Sequence, residues 1–242
     1  MHHTQLVMSG CSNPTKKGFF VNILNTAKSI LKKRFPFLSG ELRNKIRCME
    51  AVKTDWNTIE LAGFPEMRDS AWFQLGSLAY EIVKETRPKV IVELGSHMGY
   101  SALVMALSLK KNDIPGKVFA IDTWKGDSHA GFYGEEVYNI LQKRVKSLGL
   151  INHIELVRDT FESARKRFNA IDLLHIDGLH TYEAALGDFN CYKECLHANS
   201  LVLFHDVNTH FKEMRLLWRR MSWKYESCMV PYSHGLGIIM IK

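Results

Sequence analysis

From residue 89 onward, short apolar runs rich in β-branched residues alternate with longer stretches whose apolar positions recur every three or four residues. The runs predict strands at Val90–Leu94, Val118–Asp122, His153–Val157, Ile171–Ile176, Leu201–Phe204 and Gly237–Ile241, with a further strand near Ser227–Val230. The stretches between them predict helices over Ser101–Leu109, Glu135–Leu148, Phe161–Phe168, Tyr182–Leu196 and Phe211–Arg220. Another helix, Trp72–Glu85, precedes Arg87-Pro88. Such alternation specifies an α/β class, a doubly wound and mostly parallel sheet with helices on both faces. Ligands of that architecture bind at the carboxyl ends of the strands, so the chemistry is to be sought in the loops that follow them.

Residues 1–70 break the pattern. Residues 1–15 are polar and read as a tail. From Phe20 the residues Phe20, Ile23, Leu24, Ala27, Ile30 and Leu31 fall at helical spacing, with Lys28, Lys32, Lys33 and Arg34 elsewhere on the wheel, and Pro36 stops the helix. A second helical stretch over Glu41–Val52 leads to a linker-like segment, Asn57–Ser70. The chain thus divides into a tail with a basic helical extension, 1–70, and an α/β domain, 71–242. Charge follows the same division: the net +7 arises in residues 1–50, with nine Lys/Arg against Glu41 and Glu50, whereas the remainder holds 23 basic and 23 acidic residues. A neutral body with a basic appendage argues against a nucleic-acid partner. It leaves two readings of the appendage: an apolar stripe docked on the main domain, or peripheral contact with an anionic membrane through residues 16–35. No stretch has the ~20 apolar residues of a membrane span and no signal-peptide pattern is present, so the expected compartment is the cytoplasm. Five scattered cysteines, Cys11, Cys48, Cys191, Cys195 and Cys228, suit reduced thiols better than a disulfide framework.

The loop after the first predicted strand reads Glu93-Leu-Gly95-Ser96-His97-Met-Gly99-Tyr100-Ser101. Its glycines permit a tight turn and a close approach of backbone to ligand, and the helix that follows presents unpaired N–H groups. His97 stands where a dinucleotide site needs its middle glycine, and Tyr100 stands where a P-loop needs lysine. The loop therefore suits a cofactor with an adenosyl group and no phosphates. Asp122 ends the second strand, where a doubly wound fold places a carboxylate for ribose hydroxyls. Asp159 and Thr160 end the third, either bordering the adenine or capping the next helix.

With Asp177 and Asp206 at the ends of the next two strands, these residues resemble a class I S-adenosylmethionine-dependent methyltransferase. The Glu-Leu-Gly-x-x-x-Gly-Tyr-Ser loop is similar to that of small metal-dependent O-methyltransferases of the catechol type. Asp122-Thr-Trp-Lys-Gly-Asp-Ser-His-Ala-Gly-Phe-Tyr-Gly134 and His175-Ile-Asp-Gly-Leu-His-Thr-Tyr-Glu183 resemble a bacterial group associated with glycan and glycosylated-metabolite biosynthesis. The likeness covers roughly residues 72–242. It implies a seven-stranded Rossmann-like sheet and S-adenosylmethionine held by Glu93, Gly95, Ser96, Gly99 and Ser101, with Asp122, Thr123 and Trp124 on the ribose side and Asp159 and Thr160 beyond. It implies methyl transfer to a hydroxyl of a sugar, glycan or glycosylated small molecule, and admits a homo-oligomer.

On the family fold, Asp177 and Asp206 face one pocket, where two carboxylates call for a divalent cation such as Mg²⁺ that would acidify an acceptor hydroxyl. In catechol-type enzymes a further ligand follows the second aspartate directly; here Val207 stands there and Asn208 comes next. His180, Asn208 or water would complete the shell. His180 is also the candidate general base, unless it caps the helix near Tyr182. Asp127 and His129 are read as a lid or a contact to a polar substrate. Trp124 and Tyr133 are read as stacking on adenine or a sugar face, or as packing. His175 and His205, which precede the two aspartates, are expected to point away from the metal. Two rival readings are a nucleic-acid methyltransferase and a non-catalytic membrane-associated module, both working through the basic helix.

Overall fold

The computed structural model describes residues 67, 69–209, 211–231 and 233–242. The expected tail, the helices at 20–31 and 41–52 and the membrane-contact stretch 16–35 lie outside the described residues.

The strands are β1 (Val90–Leu94), β2 (Lys117–Asp122), β3 (Gly126–Asp127), β4 (Gly131–Phe132), β5 (Ile154–Arg158), β6 (Ile171–Ile176), β7 (Leu196–Phe204), β8 (Glu226–Val230) and β9 (Leu236–Met240). The helices are α1 (Gly76–Thr86), α2 (Tyr100–Lys111), α3 (Glu135–Ser147), α4 (Phe161–Ala164), α5 (Tyr182–Tyr192) and α6 (Lys212–Lys224). Seven strands form one sheet in the order β5-β2-β1-β6-β7-β9-β8, while β3 and β4 pair as a small separate hairpin. Within the seven-stranded sheet β9 runs antiparallel to both β7 and β8 and the other pairings are parallel; the β3–β4 hairpin is antiparallel.

β1, β2, β6 and β7 are apolar on both faces because helices cover both. One core cluster joins the sheet to α1, α2 and α3, and a second joins its other face to α4, α5 and α6. The sequence of α2 is apolar nearly all round, and every residue from Tyr100 to Leu109 is accordingly buried. Among the described residues no helix is long and apolar enough to cross a membrane.

Register sets the functional end of the sheet. Glu93 pairs with Ala120 on one side and His175 on the other, and Ile176 pairs with Phe204. Backbone bonds continue past the strand ends: Gly95 N–H to the Ile121 carbonyl at 2.9 Å, Asp177 N–H to Leu94 at 2.9 Å and His205 N–H to Ile176 at 3.2 Å. The loops after four adjacent strands are therefore fixed side by side.

Candidate active site

The glycine loop is built on unusual backbone. Gly95, His97 and Gly99 have φ of 91°, 44° and 79°, the left-handed region that glycine enters at least cost. A methyl group added at Gly95 would strike the backbone carbonyl of Asp177, and one at Gly99 would strike the Leu141 side chain. The loop is thus pressed against the end of β6 on one side and α3 on the other. Beneath it Glu93 is fully buried. Its carboxylate accepts from the hydroxyls of Ser101 and, at 3.3 Å, Ser96, and lies 3.1 Å from Nδ1 of His175. Asp122 braces the loop from β2, its Oδ2 accepting from the backbone N–H of Ser96 at 3.1 Å and of His97 at 2.9 Å, and from the Tyr133 hydroxyl at 3.3 Å. Its Oδ1 accepts from the Trp124 N–H at 2.7 Å.

The ring of Trp124 is buried, with Nε1 donating to the His97 carbonyl at 3.0 Å and a T-shaped contact with Tyr138. It packs under the loop and presents no open face for stacking. Thr123 lies beside it, half-buried. Asp159 N–H donates to the Asp122 carbonyl at 3.2 Å, while Thr160 caps α4 by accepting from Ser163 N–H at 3.2 Å.

Beside the glycine loop, three side chains converge: ligand atoms of Asp177, His180 and Asp206 all lie within 4.8 Å of one another. Nε2 of His180 is 2.8 Å from Asp206 Oδ2 and 3.7 Å from Asp177 Oδ1, yet both ring nitrogens are buried without hydrogen-bond geometry to any partner. The helix cap is supplied by Thr181, whose hydroxyl accepts from Ala184 N–H at 3.2 Å, which leaves His180 to the cluster. Asn208 is exposed, its backbone N–H bound to the His234 carbonyl at 2.7 Å.

Two histidines correct the sequence-based expectation. His205 Nδ1 lies 3.0 Å from Asp177 Oδ1 and 2.9 Å from Asp206 Oδ2, so it points into the cluster. Strand alternation fails there because β7 ends at Phe204 and Asp206 turns with φ of 59°. His175 also faces the cluster, its Nε2 3.9 Å from Asp177 Oδ2, because residues two apart share a strand face. Both nitrogens of His205 face acceptors, Nε2 meeting the Ser233 carbonyl at 2.9 Å, so the ring is doubly protonated. Burial would lower its pKa, but Asp177 and Asp206 raise it to about 10.

His180 is likewise held at about 9 by the two carboxylates against the pull of burial. Burial pushes Asp206 upward, yet His180 and His205 bring it to about 2, and Asp177, against the same push, sits well below the usual carboxylate range through His205, His180 and His175. One imidazolium against two carboxylates leaves net negative charge when His180 is neutral. Two oxygens and one imidazole nitrogen are also a donor set that divalent cations accept. The residues therefore fit a metal ion.

Trp72, His234 and Phe211 carried no signal in the sequence pattern. Trp72 Nε1 donates to Asp177 Oδ2 at 2.8 Å, and His234 Nδ1 lies 3.3 Å from Asp206 Oδ1. Phe211 stacks on His180 and on His129, with ring centroids 4.8 and 5.2 Å apart. His129 rides on the β3–β4 turn, which Asp127 closes by accepting from the N–H groups of His129 and Ala130 at 2.6 and 2.8 Å.

A family model described as a methyltransferase domain matches residues 92–207. An uncharacterised protein of Sinorhizobium fredii, y4gI, is 37% identical over 174 residues, 70% of this chain and 19% of that protein, so the chain spans about a fifth of that relative's length. A methyltransferase from Geobacter sulfurreducens superposes with a TM-score of 0.55 at 20% identity over 69% of this chain and 78% of its own. The O-methyltransferase TomG of Streptomyces achromogenes, solved with S-adenosylmethionine, gives 0.58 at 11% identity over 79% and 96%. Residues 92–207 thus match a methyltransferase domain, and the described residues share the fold of these two solved methyltransferases.

Proposed function

We propose that this protein is an S-adenosylmethionine-dependent O-methyltransferase acting on a hydroxyl of a sugar, glycan or glycosylated small molecule, with a divalent cation held by Asp177, His180 and Asp206. The observation that carries the reading is the adjacency of two built features: Asp177 ends the strand whose backbone lies against Gly95, so the Asp-His-Asp cluster borders the cofactor loop. TomG, with S-adenosylmethionine bound, supports the choice of cofactor by its fold. The chemistry of the acceptor rests on the resemblance of the Asp122–Gly134 and His175–Glu183 motifs.

Gly95, Ser96, Gly99 and Ser101 would hold the cofactor's amino-acid end and Asp122 its ribose, while S-adenosylmethionine supplies the methyl group. A divalent cation supplies positive charge that lowers the pKa of an acceptor hydroxyl. Asp177 and Asp206 orient the acceptor oxygen toward the cofactor side of the pocket, and alignment of nucleophile and methyl carbon contributes most of the acceleration. In the cation's presence His180 would be a ligand and not a base, because its one free lone pair is used; the acceptor's proton would pass to solvent as its oxygen takes the methyl carbon, and S-adenosylhomocysteine would leave as the neutral thioether. Phe211 and His129 lie over His180 and offer a flat face to an acceptor ring.

The test is transfer of labelled methyl from S-adenosylmethionine to a panel of free and glycosylated hydroxyl acceptors, with Mg²⁺ or with excess chelator. Label should appear on oxygen, depend on the cation and fall by about 100-fold or more in Asp206→Asn, while cofactor affinity stays within a few-fold. Undiminished transfer in chelator removes the cation from the reading, and label on nitrogen alone removes the hydroxyl.

A further inference from the structure

Trp72 precedes the matched domain segment and is 105 residues from Asp177 in sequence, yet its indole N–H donates to Asp177 Oδ2 at 2.8 Å. The ring is 4% exposed and belongs to the core cluster around α1 and α2. It meets His175 edge-on at 4.6 Å between ring centroids and lies tilted against His205 at 5.1 Å. Its own position is set by a tight turn, in which its N–H donates to the Ser70 hydroxyl at 3.2 Å and its carbonyl accepts from Leu75 N–H at 2.9 Å.

The two oxygens of Asp177 thus have separate partners. Oδ2 takes the indole, whereas Oδ1 faces His205 at 3.0 Å and His180 at 3.7 Å. An indole N–H can donate and never accept, so this bond forms to an oxygen lone pair and favours the ionised carboxylate. It also fixes the carboxylate's rotation, since the alternative rotamers would leave a buried N–H without a partner.

We propose that Trp72 is a positioning residue of the cation site: by holding Oδ2 it keeps Oδ1 of Asp177 turned toward His180 and Asp206, and so sets the affinity for a divalent cation. The inference rests on the cation-assisted reading above. It adds that the site is completed by a side chain from before the matched domain segment.

The experiment is calorimetric titration of the full chain with Mn²⁺, and separately with S-adenosylhomocysteine, for the wild type, Trp72→Phe and Asp206→Asn. Removing a group that orients a metal ligand costs about 10–100-fold in affinity, so Trp72→Phe should weaken Mn²⁺ by that factor and leave S-adenosylhomocysteine within about 3-fold. A purely structural role would weaken both together. Equal Mn²⁺ affinity in Trp72→Phe and wild type, with Asp206→Asn impaired, overturns the role of Trp72 and leaves the cation reading intact. A wild type that binds no Mn²⁺ overturns both. Should Trp72→Phe fail to fold, the indole N–H resonances of the wild type serve: Mn²⁺ should broaden that of Trp72 while sparing exposed Trp223. A Trp72 resonance unmoved by saturating Mn²⁺ contradicts the proposal.

Discussion

Gly95 joins the two halves of the proposed site, since its φ of 91° goes with a glycine loop packed onto the carbonyl of Asp177. Gly95→Ala combines backbone strain with a collision that neither β1 nor β6 can relieve. It should cost about 1–3 kcal/mol, lowering the midpoint of thermal unfolding by several degrees, and should weaken S-adenosylhomocysteine binding. An unchanged midpoint and affinity would show that the loop moves freely of β6. The acids of the site were legible because each ends an apolar strand, a position with few other uses. His180 was legible with them, but His175 and His205 were not, because strand alternation does not carry past the end of β7 to His205 and puts His175, two residues before Asp177, on the same face as it. Trp72 was illegible on principle, as no local pattern announces a contact across 105 positions.

Helix α5 begins at the cluster and carries a titratable group along its length. Asp188 Oδ2 lies where a methyl added to Gly178 would touch it, beside the Phe161 ring, and burial raises its pKa to about 7. Its folded pKa is above the unfolded value, so its contribution falls as pH rises from about 4 through 7. Asp188→Asn should therefore stabilise the protein by roughly 1–2 kcal/mol at pH 8 and by little at pH 4, read as thermal midpoints at the two pH values. A gain of equal size at both would contradict an ionisation effect. Elements as a class were legible where period and length agree, as at β1 and β6, whose bounds match. They were less so where hydrogen bonding and polarity conflict: β7 begins at Leu196 and not Leu201, because Leu196 pairs with Ile171 although the residues that follow, His197, Ala198 and Asn199, are exposed and break the apolar run. The helix expected over Phe161–Phe168 tightens to a 3₁₀ turn after Ala164, and α5 does the same after Tyr192. The β3–β4 hairpin pairs just two residues a side, with Gly126 and Gly131 in it, and offers no period to read.

At the scale of the molecule, the cluster makes stability depend on pH in a signed way. Asp206, at about 2, and Asp177 are depressed, so their contribution is present above about 4 and is lost on acidification. His180 and His205, at about 9 and about 10, are raised, so theirs is full below about 6.5 and is lost as pH rises toward 10. Without added cation the cluster should stabilise most between about pH 4 and 6.5, and the decline above that window should shrink in Asp206→Asn. Cation binding requires neutral His180 and releases its proton, so Mn²⁺ affinity should rise between pH 6 and 9. A flat affinity over that range would remove His180 from the ligand set.

The account turns on the loop after β1 being a site for S-adenosylmethionine, and thermal unfolding with S-adenosylmethionine, S-adenosylhomocysteine or NAD tests it most directly. A ligand at 100 times its dissociation constant stabilises by about 2.7 kcal/mol, which for a chain of this length raises the midpoint by roughly 5–10 °C. The account predicts that shift with both sulfur compounds and none with NAD. A shift with NAD, or none with any of the three, would contradict it.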